Sequence, residues 1–206
     1  MTSRPDLQLR IYCTGVGGQG TLLATRLLGE AAMAAGYMVQ VAETHGMAQR
    51  GGVVESTVVL GTLASPIISP GEADILLGFE ILETFRSLNR CHAKTLVVTN
   101  TGVTPPYTVA TGQTTYPPVP QMLQLLQQHT GRLIALDGNA LAQAAGSALA
   151  VNMVLLGALM SSGRVPFSVE TFEEIIATHT PAKHLKANRR AFRSGFEAAQ
   201  AWQGIP

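Results

Sequence analysis

Three groups of residues in this sequence have types and spacings that suit chemistry. The first is Gly15-Val16-Gly17-Gly18-Gln19-Gly20, a Gly-x-Gly-x-x-Gly run followed by Ala24. Glycines let a main chain come close to a phosphate, and a helix opening behind them aims its N–H groups at the anion. Glu43 closes the next apolar run, where an acid would meet a ribose hydroxyl in a dinucleotide site. The same glycines also serve plain tight packing of a strand on a helix, and the turn alone leaves both readings open.

The second group is His45-Gly46-Met47-Ala48-Gln49-Arg50-Gly51-Gly52. An imidazole, a guanidinium and several glycines follow one another after a strand-like run. Arg50 suits two-pronged recognition of a carboxylate or phosphate, with Gln49 beside it and Gly51 clearing room for a ligand. The plainer reading is a turn that carries a surface arginine. The third is Asn152, set in an apolar run. If buried, its amide needs a partner, either within the core or at an interface that faces an active site.

Other reactive residues point away from catalysis by this chain alone. Cys13 and Cys91 are the two cysteines and lie far apart. That excludes a cysteine-ligated iron–sulfur cluster held wholly by this chain, gives no disulfide framework, and fits a reduced cytoplasmic setting. Cys13 reads as packing, since no base stands near it in sequence. His92, His129, His179 and His184 lack metal-ligand spacing, so no metal is expected.

The elements that would position these groups alternate. Residues Leu7 to Cys13 read as a strand. Thr21 to Ala35 has helical periodicity, with Leu23, Leu27, Leu28, Ala31 and Ala35 on one face and Gly36 as the stop. Strands are expected at Tyr37 to Ala42 (ending at Glu43), Val53 to Leu60, Ala73 to Gly78, Thr95 to Thr99 and Leu133 to Leu136, with Thr44 to Gly52 as a polar loop. Helices are expected at Glu80 to Asn89, Gln121 to His129 and from Ala140 onward. Pro105, Pro106, Pro117, Pro118 and Pro120 make Val103 to Pro120 an excursion. Short apolar strands alternating with helices imply a Rossmann-like α/β fold with a doubly wound, mostly parallel sheet. Successive strands near residues 37–60 imply an antiparallel excursion at one edge. The C-terminal part from about residue 140 is expected to be helical, and the whole chain, 1–206, to form one domain.

Composition narrows the class. Net charge is +1, so no global field favours nucleic acid. Charged residues make up only 13% of the chain, against roughly 25% in an ordinary domain, so either a partner covers part of the surface or the core is unusually rich in Ala and Gly. Ala140 to Met160 is apolar but broken by Gln143, Ser147 and Asn152, which favours a buried helix over a membrane span. No apolar leader is read in the first residues. Lys183, Lys186, Arg189, Arg190 and Arg193 oppose Phe192, Phe196, Ala199 and Trp202, the pattern of a docked amphipathic helix with a basic face.

Taken together, several motifs resemble one family. The glycine turn, a second strand ending in Glu43 and the loop Ala48-Gln49-Arg50-Gly51-Gly52 are similar to the gamma-type domain of pyruvate and other 2-oxoacid:ferredoxin oxidoreductases. His45 to Gly52 is nearer to the indolepyruvate type. Further matches are Ser65-Pro66-Ile67-Ile68, Gly71-Glu72-Ala73-Asp74, Leu77-Gly78-Phe79-Glu80, Asn100, Asn152 to Ala158, and Asn188-Arg189-Arg190-Ala191-Phe192 with Gly195. The resemblance implies a subunit that is inactive alone. It implies a larger alpha-type partner carrying thiamine diphosphate, Mg and iron–sulfur clusters, with ferredoxin reached through the complex. Coenzyme A would lie at the subunit interface, near Gly15, Gly17, Gly18, Gln19, Gly20, Glu43, His45, Gln49, Arg50, Gly51 and Asn152. No cofactor is expected on this chain alone, and catalytic residues are expected on the partner. The isolated chain is expected to form a homodimer, with no nucleic-acid or membrane partner. An independent NAD(P)-dependent dehydrogenase and a non-enzymatic nucleotide-binding module remain alternatives.

Overall fold

A computed structural model describes residues 7–45, 52–105, 109, 111, 112 and 115–205. Its strands are β1 (Leu9–Val16), β2 (Val39–His45), β3 (Val53–Leu60), β4 (Ala73–Gly78), β5 (Cys91–Asn100) and β6 (Arg132–Leu136). Its helices are α1 (Thr21–Ala34), α2 (Ile81–Arg86), α3 (Val119–His129), α4 (Gly138–Ala144), α5 (Val151–Ser161), α6 (Val169–His179) and α7 (Ala182–Gln200). The strands form one sheet in the order β2-β3-β1-β4-β5-β6. β1, β4, β5 and β6 run parallel, while β3 is antiparallel to both β1 and β2. The mostly parallel sheet with an antiparallel excursion is therefore present. The reversed strand is β3, one place in from the edge, and it separates β2 from β1.

Several boundaries differ from the sequence expectation, each for a local reason. β1 runs past Cys13 to Val16, because Thr14, Gly15 and Val16 pair with Glu55, Val54 and Val53. The turn thus begins at Gly17. β2 starts at Val39 because the Tyr37 N–H still closes α1, donating to the Ala32 carbonyl at 3.0 Å. Thr44 and His45 belong to β2 and not to a loop. α2 ends at Arg86 and tightens into a 3-10 turn, Ser87–Arg90. β5 is longer than expected, beginning at Cys91.

Two apolar layers cover the sheet. One gathers Ile11, Cys13, Val58, Ile75 and Val98 under α1, α4, α5, α6 and α7. The other gathers Tyr12, Val59, Leu76 and Val97 under α2 and α3. Adjacent strand residues point to opposite layers, as the pleat requires. α5 is buried from Val151 to Met160, so its even hydrophobicity fits a helix enclosed on all sides. α1 turns a slightly different face inward than expected. Ala24, Leu27, Leu28, Ala31 and Ala32 are buried, whereas Leu23 is exposed and Ala35 half-buried. No helix among the described residues is long and apolar enough to cross a membrane.

Candidate functional site

β1, β4, β5 and β6 all end at one rim, the place where open parallel sheets present their ligands. The glycine turn stands there. Gly15 is the penultimate residue of β1, and a Cβ on it would lie 2.8 Å from both Gln19 Oε1 and Phe79 Cβ. Gln19 folds back over the turn. Its Oε1 accepts from the Val16 N–H at 2.8 Å, and its Nε2 donates to Thr104 Oγ1 at 3.4 Å. Gly18 and Gly20 take φ of 102° and 78°, conformations that glycine adopts without Cβ strain. Gly20 is the N-cap of α1, and its carbonyl accepts from Asn152 Nδ2 at 3.4 Å.

The α1 N-terminus has features that suit an anion. Its first N–H groups have no partners within the helix, and the helix dipole is positive there. No acidic residue occupies the first turn. The Thr21 hydroxyl is buried and makes no hydrogen bond among the described groups. Asn152, on α5, braces the turn from behind, with its Oδ1 accepting from the Met153 N–H at 2.9 Å. The buried amide thus serves both the core and the glycine turn.

The last residue of the second motif, Gly52, meets the first motif where β3 pairs with β1. The Gly17 N–H donates to the Gly52 carbonyl at 2.9 Å, and Val16 pairs with Val53. His45 ends β2 opposite Val54. Gln49, Arg50 and Gly51 lie outside the described residues. Glu43 is not brought to the turn in the way a dinucleotide site needs. In such sites the acid-bearing strand neighbours the glycine-bearing one. Here β3 intervenes, which places β2 about 10 Å from β1, two strand spacings. Glu43 is exposed and lines a groove with Leu22, Leu23 and Arg26.

The far side of the rim is a buried polar network. Glu80 caps α2, its Oε2 accepting from the Glu83 N–H at 3.0 Å. Its Oε1 accepts from the Thr104 N–H at 3.1 Å and from the Tyr116 hydroxyl. Asn100 Oδ1 accepts from the Gly102 and Gly138 N–H groups at 3.0 and 2.9 Å, while Nδ2 donates to the Phe79 carbonyl and to Asn139 Oδ1. Thr104 therefore links the glycine turn, through Gln19, to Glu80. Sequence reasoning missed Thr21, Thr104, Tyr116 and Asn139. Glu80 entered it only as a matched position opening a helix, and Asn100 only as a matched position at a strand end. Thr21 carried a signal, a hydroxyl opening the helix after a glycine turn; Thr104 and Tyr116 carried none, because they return from a long excursion.

Among the described residues, the titrating groups here do not form a nucleophile–base pair. Burial pushes the Cys13 thiol well above its ordinary range and the Cys91 thiol to about 12. Burial also raises the Tyr116 phenol, with Glu80 as its acceptor adding to the effect. Glu83 is raised by burial, opposed by the Arg86 guanidinium 2.7 Å away. Among the described residues, no three His, Cys, Asp or Glu side chains gather as a metal site. His179 and His92 sit instead near Glu30 and Asp74, at 3.7 and 4.0 Å. The arrangement can hold an anion at the glycine turn and position neighbouring groups.

A sequence model of the pyruvate ferredoxin/flavodoxin oxidoreductase family matches residues 10–198. The chain belongs to that family. Among its relatives, indolepyruvate oxidoreductase subunit IorB of Thermococcus kodakarensis is 40% identical over 200 residues, covering 96% of this chain and 99% of the relative. The protein of the same name from Methanothermobacter thermautotrophicus is 37% identical over 193 residues, covering 94% and 98%. The keto/oxoacid ferredoxin oxidoreductase gamma subunit of Geobacter sulfurreducens shares the fold, with a TM-score of 0.69 at 23% identity over 94% of this chain and 99% of that one.

Proposed function

We propose that this chain is the subunit of an indolepyruvate-type 2-oxoacid:ferredoxin oxidoreductase that carries neither thiamine diphosphate nor an iron–sulfur cluster. The enzyme oxidatively decarboxylates an arylpyruvate to an acyl-coenzyme A and passes electrons to ferredoxin. The observation that carries this reading is the identity of 37% to 40% with indolepyruvate oxidoreductase subunits over nearly the full length. No finding favours an independent dehydrogenase, and the β3 insertion separates Glu43 from the position a ribose-binding acid takes. The chain acts as one domain in the cytoplasm, inactive until it joins a larger subunit. That partner holds thiamine diphosphate, Mg and the clusters; a cluster needs more thiolates than Cys13 and Cys91 supply.

Coenzyme A is the ligand we assign to the subunit interface. It carries a pyrophosphate and a further phosphate, which suit the α1 N-terminus, the turn at Gly17 to Gly20 and Arg50. The support is chemical: a glycine turn, a helix end without acid and a buried hydroxyl share one rim. Arg50→Ala in the assembled enzyme should raise the KM for coenzyme A by about ten- to a hundredfold, the loss of one charged hydrogen bond of roughly 1.5–3 kcal/mol. Arg50→Lys should restore part of it, because an ammonium lacks the fork. An unchanged KM with normal assembly would remove Arg50 from the site.

A further inference from the structure

We infer that the outer face formed by α1 and β2 is a twofold interface with a second copy of this chain. The inference goes beyond the reading above and does not depend on which 2-oxoacid is oxidised. It begins with a concentration of apolar surface. Leu22, Leu23, Met33 and Val41 are four of the nine exposed large hydrophobic side chains among the described residues, and all four lie on this one face. Such clustering marks an interface, whereas single exposed apolar residues do not. Together they line a groove of about 530 Å³ between α1 and β2, whose floor is Gly29 under Val39 and Val41.

The edge of the sheet supplies the symmetry. β2 is an edge strand. The Gly61 N–H donates to the Met38 carbonyl, so the even residues of β2 turn their peptide groups toward β3. Val39, Val41 and Glu43 therefore turn theirs outward. Within Val39–His45 there is no proline or lysine to blunt that edge. The opposite edge is treated differently, since the Trp202 indole N–H donates to the Leu133 carbonyl of β6 at 2.8 Å. A dyad through Val41 would pair β2 with its own copy, Val41 on Val41 and Val39 on Glu43, and satisfy the outward groups.

The same dyad fits the helices. α1 lies over β2 and β3. With strands about 4.8 Å apart, the two α1 helices would then lie about 10 Å apart, a normal distance for packed helices. Gly29 packs on Val41, so the dyad crosses α1 near Leu28 and Gly29. Antiparallel helices crossing there set Arg26 against Glu30 of the second copy, and Leu23 against its Met33. All four residues line the groove. The surface is thus complementary to itself in backbone, apolar and charged groups, which is what a twofold contact requires.

The test uses the full chain purified without a partner, its mass followed by sedimentation over a dilution series. The expected result is a reversible dimer. Arg26→Glu, which opposes Glu30 of the second copy with a like charge, should weaken it tenfold or more, and Arg26→Glu with Glu30→Arg should restore it. Val41→Cys should form a disulfide across the dyad on mild oxidation, because a hydrogen-bonded antiparallel pair spaces its Cα atoms at about 5.5 Å, within disulfide reach. Thr44→Cys, three residues from the dyad, should not. A wild-type chain that stays monomeric throughout would overturn the proposal, whether the larger subunit or solvent covers this face. A dimer in which Val41→Cys fails to cross-link would overturn it equally, since the contact would then use another surface; this arm decides if Arg26→Glu does not fold.

Discussion

Gly20 meets two demands at one backbone position. Its φ of 78° lies in the left-handed region, and a Cβ there would stand 2.5 Å from Asn152 Nδ2. The left-handed conformation costs a non-glycine residue about 1–2 kcal/mol, and the collision adds to it. Gly20→Ala should therefore lower stability by about 2–4 kcal/mol in urea unfolding. Asn152→Ala in that background should recover the steric part and leave the backbone part, so the two changes should be non-additive. Additive effects would show that the turn and α5 are not in contact. Glu83 tests the buried network by its pH dependence. Its folded-state pKa is raised by burial, so its favourable contribution is complete below the unfolded value of about 4 and is lost as pH rises through the folded value. Glu83→Gln should gain Tm relative to the wild type as pH rises above about 4, and an offset that is constant with pH would contradict the assignment. Much at this scale was legible in sequence: Gly15, Gly20 and Asn152 were singled out by type and spacing alone. Thr104 and Tyr116 were not, because their contact with Glu80 joins segments that no local pattern relates.

At the scale of elements, α5 and α7 touch backbone to backbone. A Cβ on Gly157 would lie 1.9 Å from the Phe192 carbonyl oxygen, and one on Gly195 1.9 Å from that of Val154. Neither neighbour is a side chain that can swing away. Gly157→Ala should separate the helices and cost about 3 kcal/mol or more. Trp202 offers a local readout: it is the single tryptophan, it follows α7, and its indole N–H holds the Leu133 carbonyl. Its fluorescence should shift to the red in Gly157→Ala, and an unshifted spectrum with full stability would mean the helices are less closely packed than described. The apolar run of α5 and the two-sided pattern of α7 were readable because both express helical periodicity directly. The placement of β3 between β1 and β2 was not, since periodicity reports which face a strand buries and not which strand lies beside it. Leu23 misled for a related reason. It shares the stripe of Leu27, yet α1 packs through Ala24 and Ala32, small residues that let the helix roll.

For the whole molecule, the sparse charge of 13% and the exposed apolar residues on α1 and β2 describe a chain whose surface is completed by others. Obligate interfaces bury upwards of about 2,000 Å² and are more apolar than ordinary surface. The fold class, the alternation and membership of a multi-subunit enzyme were visible in motif order, while the face proposed above as an interface required the sheet order. The central claim is that this chain contributes to 2-oxoacid oxidation only within a complex. It is tested by expressing the chain alone and together with a larger alpha-type subunit, then measuring viologen or ferredoxin reduction with indolepyruvate and coenzyme A. The account predicts no turnover by either subunit alone, and a stable hetero-oligomer with activity from the pair. A lone chain that turns over substrate, or a chain that ignores the partner and leaves the pair inactive, would contradict it.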